Sequence, residues 1–305
     1  MQRKITLPWM GSKYTELIKD SLENLGMNIL LPPKTSDKTI KLGVKNSADM
    51  VCMPYKSTLG NFIESLDAGA NTLIMYDSRG TCRFRHYWKV QEFTLKKLGY
   101  DFEMCNLNPR NFLHTAKKLS GKPYSKVIRE FFNLYKKIKI IDEEKIRWSK
   151  NKPNIGIIGE IYTCCDETIN YGTESKIKKF GAKSVSTVTL SEFIIESLRE
   201  NFKIPFKDDK KQYKKQAKKY LNGPLGGHAE ENLYNLLWLI NNGINGVVHI
   251  LPLSCAPEAM IEPYVNNICQ SAKTPLLRIA VDENNSEANL ETRLETFIEL
   301  IKMRK

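Results

Sequence analysis

Gly246-Val247-Val248-His249-Ile250-Leu251-Pro252-Leu253-Ser254-Cys255-Ala256-Pro257-Glu258 sets a short apolar run against a proline-marked turn and a cysteine, after which Glu258–Ala272 carries helical spacing. A run of Val, Ile and Leu bounded by turn residues reads as a buried strand. A buried strand that leads straight into a helix is the repeating unit of a mostly parallel sheet covered by helices.

The same alternation extends outward in both directions. In the second half, strand patterns fall at Asn154–Gly159, Lys183–Thr189, Gly246–Leu251 and Pro275–Val281, with helical patterns at Thr168–Phe180, Leu190–Glu200, Glu230–Asn241 and Glu258–Ala272. A last helix, Glu287–Met303, repeats Leu290, Leu294, Phe297, Ile298 and Ile301 at helical spacing, so it packs back on the body. In the first half, strands are expected at Lys4–Leu7, Met27–Leu31, Asp49–Met53, Asn71–Tyr76 and Asp101–Cys105. Helices are expected at Lys13–Leu25, Thr58–Ala68 and Phe84–Leu98, closed by Gly26, Gly69 and Gly99 as C-terminal caps. Between the halves the strand signal stops, and a Lys-rich amphipathic stretch with Phe131, Phe132, Leu134 and Tyr135 reads as helical. The expectation is an α/β protein of two parallel-sheet domains, 1–108 and 151–305, joined by a helical connector, 109–150, and ending in a C-terminal helix.

At 305 residues the chain has the length for two cores. No stretch is long and apolar enough for a bilayer span, and Pro8 interrupts the start before a secretory apolar run develops. A cytosolic protein with no membrane role is the expectation. The net charge of +13 owes much to Lys203–Lys219, where eight lysines face Asp208 and Asp209. So local an excess argues against nucleic acid and reads as a solvated helix face, or else as a docking surface for an acidic partner or phosphate-bearing ligand.

Seven cysteines in a reducing compartment are buried, reactive or metal-bound thiols rather than disulfides. In open α/β sheets, functional groups gather beyond the carboxyl ends of the strands, and three cysteines fall there. Cys52 ends Asp49-Met50-Val51, Cys82 follows Thr72–Tyr76 through Asp77–Thr81, and Cys255 follows Val247–Leu251. Cys52-Met53-Pro54 and Cys255-Ala256-Pro257 share a form in which proline helps to end the strand at the cysteine. Cys105, Cys164, Cys165 and Cys269 read as core or partly exposed thiols, with Cys164 or Cys165 the alternative for a neighbour of the metal-binding thiols.

Around these thiols stand further candidates. Glu160 closes a strand and precedes Tyr162; His228 follows two glycines at the start of a helix, where an anion would also be favoured. Each also has a plain structural reading, the carboxylate bonded to backbone donors and the imidazole as a turn or cap residue. Arg83 beside Cys82 and Lys56 near Cys52 suit contacts to an anion bound near those thiols, a sulfide or a phosphate, and suit structural ion pairs equally. His249, inside an apolar strand, reads as a hydrogen-bonded core histidine.

Read together, Leu7-Pro8-Trp9-Met10-Gly11, Cys52-Met53-Pro54-Tyr55-Lys56, Cys82-Arg83-Phe84 with Tyr87, Gly159-Glu160-Ile161-Tyr162, Gly226-Gly227-His228 and Ser254-Cys255-Ala256-Pro257-Glu258 carry a resemblance. The chain resembles the 2-hydroxyacyl-CoA dehydratase D-component family, and more closely its activase-related branch. The resemblance implies two Rossmann-like domains with a 4Fe-4S cluster between them, held by three cysteines matching Cys52, Cys82 and Cys255. It also implies an acyl-CoA ligand, a related dehydratase subunit, and an ATP-dependent activase that delivers one electron to the cluster. No GxxxxGK[ST] phosphate loop occurs, so ATP hydrolysis is not assigned to this chain. On the residues alone, a zinc site on the same thiols, or an anion-binding scaffold using the lysine run, stands beside the iron–sulfur reading.

Overall fold

Among the described residues two all-parallel sheets organise the fold, one of three strands in the order β1-β2-β3 and one of four in the order β5-β4-β6-β7. The computed structural model describes residues 2–77, 82–203, 208–221, 223, 225–284 and 286–304. The expected loop residues 78–81 and residues 204–207 of the lysine run lie outside them. Contacts divide the chain into two units: residues 1–79, 83–141 and 191–205 form the first, and 80–82, 142–190 and 206–305 form the second.

The first unit contains β1 (Ile5–Thr6), α1 (Ser12–Asn24), α2 (Asp37–Lys45), α3 (Met53–Asp67), β2 (Thr72–Tyr76), α4 (Tyr87–Lys97), β3 (Glu103–Leu107), α5 (Phe112–Ser120) and most of α6 (Tyr124–Lys145). The second contains β4 (Asn154–Gly159), α7 (Ile161–Cys165), α8 (Thr173–Lys179) and β5 (Lys183–Ser186). The next helix, α9 (Leu190–Phe202), lies almost wholly within the first unit. The second unit resumes with α10 (Lys211–Ala217), α11 (Ala229–Asn241), β6 (Gly246–Pro252), α12 (Ala256–Ser271), β7 (Leu276–Val281) and α13 (Glu287–Met303).

Parallel neighbours need crossover connections, and helices supply them. The central strands β4 and β6 are buried along their whole length, which is why they read as continuous apolar runs rather than alternating ones. Leu233, Leu236 and Leu239 of α11 pack with Val247 of β6 and Ile261 and Val265 of α12 to make the second unit's core. In the first unit α3 is the core element, buried from Met53 to Leu66 and packed through Leu59, Phe62 and Ile63 on Leu73 and Met75 of β2. Gly26, Gly69 and Gly99 hold φ of 83°, 91° and 91°, the left-handed geometry of helix C-terminal glycines.

Two expected strands are corrected. Met27–Leu31 makes only an isolated parallel bridge, Ile5 with Ile29. Asp49–Met53 is no strand: it turns into α3, with Cys52 as the N-cap and proline inside the first turn. Proline there presets φ and lacks an N–H that the first turn leaves unbonded anyway, so it starts a helix instead of ending a strand. Among the described residues no helix is long and apolar enough to cross a membrane.

The turn before Cys52 is fixed by a close crossing of α2 and α3. A Cβ on Gly60 would sit 2.0 Å from the Thr39 carbonyl oxygen, and one on Gly43 would sit 1.8 Å from that of Lys56. Thr39 Oγ1 also donates to the buried Glu64 carboxylate at 2.6 Å. Gly60→Ala is therefore expected to cost about 3 kcal/mol, the upper end for overpacking, because the obstructing atoms are backbone. Urea unfolding measures it; a loss well under about 1 kcal/mol would show that the two helices part freely at this crossing.

Candidate functional site

In the first unit, Cys52 caps α3 in extended backbone, φ −72° and ψ 159°. Its Sγ lies 2.9 Å from Tyr87 Oη at the start of α4, and the Tyr87 ring packs edge-on against Tyr55. Lys56, buried one turn into α3, sends Nζ back to the Asp49 carbonyl at 3.4 Å. Arg83 Nη1 donates to the Met50 carbonyl at 3.2 Å. Both cations thus hold the turn that delivers Cys52, and the Arg83 side chain is exposed beyond it.

In the second unit, Cys255 repeats this arrangement. It caps α12 in extended backbone, φ −76° and ψ 105°, with proline again in the first turn. Ser254 before it takes φ 66°, so the chain reverses sharply between β6 and α12. Cys82, half-buried, counts with this unit. A Cβ built on Gly227 would lie 3.3 Å from Pro257 Cγ and 3.7 Å from Cys82 Cβ, so the Gly227 turn, φ 68°, brings Cys82 and the first turn of α12 to one place. His228 follows as the buried N-cap of α11.

Glu160 caps α7. Its Oε1 accepts from Tyr162 N at 3.0 Å, and Oε2 accepts from Thr163 N at 2.8 Å and Thr163 Oγ1 at 2.7 Å. Burial pushes its pKa up against those three bonds, and the charge of Glu258 adds to the rise. The remaining thiols are set apart by their surroundings. Burial raises Cys105, lifts Cys164 well above its ordinary value, and pushes Cys165 and Cys269 up to about 12. Among the described residues, no group of three or more His, Cys, Asp or Glu is arranged to hold a metal ion.

Residues 126–301 match the family described as 2-hydroxyglutaryl-CoA dehydratase, D-component. The chain belongs to that family. Membership makes it a component of the 2-hydroxyacyl-CoA dehydratase type, a class that works with an activase or a partner subunit. Cys255, Glu160 and His228 fall within the matched residues of the dehydratase D-component, whereas Cys52, Cys82, Lys56 and Arg83 precede them. No curated protein matches the chain.

Of three further residues at the site, the sequence offered Tyr87 and Glu258 only as carriers of the resemblance or, for Glu258, as an ion-pair partner of Arg83 or Lys56, and it did not mark Asn232 at all. Tyr87 reaches Cys52 from another helix; Asn232 and Glu258 form a buried cluster with His249. Glu258 stood at a readable spacing, three residues after a helix cap, whereas Asn232 was one of several polar residues of α11, beside Glu230, Glu231 and Asn235. His249 is the hydrogen-bonded core residue that its strand suggested.

The raised Glu160 carboxyl gives a signed pH dependence. A group whose folded pKa exceeds its unfolded value contributes stability that is complete below the unfolded value, near 4.5, and lost as pH rises through the folded value. The stability difference between wild type and Glu160→Gln is expected to turn against the wild type as pH rises from about 4 to 7. Urea midpoints at several pH values check this, and a pH-independent difference would show that the three hydrogen bonds offset burial completely.

Proposed function

We propose that this dehydratase D-component relative is a cluster-bearing redox component in which Cys52, Cys82 and Cys255 supply the thiolates for a 4Fe-4S cluster. The observation that carries the reading is the repeated cap geometry: Cys52 and Cys255 each stand at the N-terminus of a long helix with proline in its first turn. A helix N-terminus favours the thiolate, which is the form that binds iron. The donor set fits, since three soft sulfur ligands suit an iron–sulfur cluster and leave one iron without a protein ligand. When bound, such a cluster supplies one-electron chemistry, accepting an electron that an ATP-driven activase delivers.

The chain's own residues do the rest. Lys56 and Arg83 hold the Cys52 turn, and the exposed part of Arg83 is the group for a cluster-bound anion or an acyl-CoA phosphate. Tyr87 sets a hydroxyl against Cys52 sulfur, the kind of contact that tunes a cluster's potential. Glu160, the N-cap of α7 at the end of β4, and His228, at the start of α11, are the candidates for proton handling. Each unit is read as Rossmann-like, the chain as the activase-related branch of its family, and its setting as an oxygen-poor cytosol.

Anaerobic purification with iron and sulfide analysis tests the assignment. About four irons per chain are expected, and Cys52→Ala, Cys82→Ala and Cys255→Ala should each abolish most of the loading while Cys269→Ala keeps it. Stoichiometric zinc, a colourless protein that cannot be reconstituted, or a requirement for Cys269 equal to that for Cys255 would overturn it.

A further inference from the structure

Glu258 lies in the first turn of α12, three residues past Cys255, and belongs to no ligand set. Its carboxylate is fully buried with both oxygens occupied. Oε2 sits 2.7 Å from His249 Nε2 on β6, and Oε1 accepts from Asn232 Nδ2 on α11 at 2.8 Å. Asn232 closes on the last residue of β4, donating to the Gly159 carbonyl at 3.0 Å and accepting from Gly159 N at 2.9 Å. A glutamate at this helix position commonly reaches back to its own N-cap in a capping box. Here it turns away from the cap and into the sheet.

We propose that Glu258 is the positioning residue for Cys255: through His249 and Asn232 it locks the first turn of α12 to the ends of β4 and β6, and so holds the thiol in one place. A buried carboxylate bonded on both oxygens tolerates one arrangement, because any slip leaves a polar group without a partner in a low-dielectric interior. His249 reports the register of β6, and Asn232 reports the position of β4 and α11. Glu258 transmits all three to the cap residue almost one turn behind it. The purpose of that precision rests on the ligand reading for Cys255, but the positioning itself is measurable without metal.

The test is alkylation of the metal-free protein by N-ethylmaleimide, followed cysteine by cysteine by peptide mass spectrometry. Cys269, buried on the same helix, controls for general loosening. Glu258→Ala is expected to speed modification of Cys255 by about tenfold, the effect of losing a hydrogen bond to a charged group, while Cys269 keeps its wild-type rate. Glu258→Gln, which retains shape and one acceptor oxygen, should give a smaller acceleration at Cys255 and again leave Cys269 unchanged. If Glu258→Ala does not fold, Glu258→Gln and Asn232→Ala carry the comparison. Equal acceleration at Cys255 and Cys269 would reduce Glu258 to a general packing role and overturn the proposal, as would an unchanged Cys255 rate. Failure of the wild-type protein to load iron would remove the ligand reading and leave the alkylation result standing.

Discussion

A single buried carboxylate, Glu258, sets the geometry at the carboxyl edge of the second sheet. Burying that group is costly unless both oxygens are bonded, and its partners come from two other elements, β6 and α11. The register of β4 on β6, with Ile158 opposite His249 and Gly159 opposite Ile250, brings the end of β4 into the same cluster. Gly159 holds φ 148°, and a Cβ there would lie 1.9 Å from the Ile250 carbonyl oxygen, so only glycine allows the two strands to end together. Directly afterwards Glu160 turns the chain into α7, and Cys255 turns it into α12. The places where the chain leaves the sheet are therefore consequences of how one charge is satisfied.

The first unit reaches a similar cap by different means. The cap there is Cys52, and the buried acid of the same helix, Glu64, accepts from Thr39 of α2. The Cys52 turn is held by donors to main-chain carbonyls, Lys56 to Asp49 and Arg83 to Met50, and its sulfur faces the Tyr87 hydroxyl. Lys56 is itself pinned, because Gly43 of α2 rests against its carbonyl oxygen. Helix crossing sets the cap on one unit and charge satisfaction sets it on the other. A substitution in α2 far from any cysteine is thereby connected to the Cys52 turn through backbone contact alone.

Much of the fold was legible because burial wrote it into local pattern. Asn154–Gly159 and Glu287–Met303 coincide with β4 and α13, the first a wholly buried strand and the second a helix with one apolar face. The start of α3 was not legible for a related reason: every residue from Met53 to Leu66 is buried, Lys56, Ser57, Thr58, Asn61, Glu64 and Ser65 included, so polarity marks no exposed face and Val51-Cys52-Met53 looks like a strand. For α2 the signal was present but short, Ser36 and Thr39 making a reciprocal cap. Cysteines at strand and helix ends were nominated by position. Tyr87 and Asn232 were not, since a partner brought in by tertiary packing leaves no trace in periodicity.

One helix shows how backbone position separates like residues. α12 carries Cys255 at its N-terminal cap and Cys269 near its C-terminal end, both buried. In general the N–H groups at a helix N-terminus favour a thiolate, whereas the carbonyls at the C-terminus oppose one. Burial without a compensating donor then pushes Cys269 up to about 12, leaving it a protonated, hydrophobic filler. Cys164 and Cys165 share that fate at the last turn of α7, a helix whose N-terminal N–H groups are already taken by Glu160. Among the seven thiols, Cys52 and Cys255 stand where a helix begins and Cys82 is half-buried, and the proposed ligand set rests on those positions.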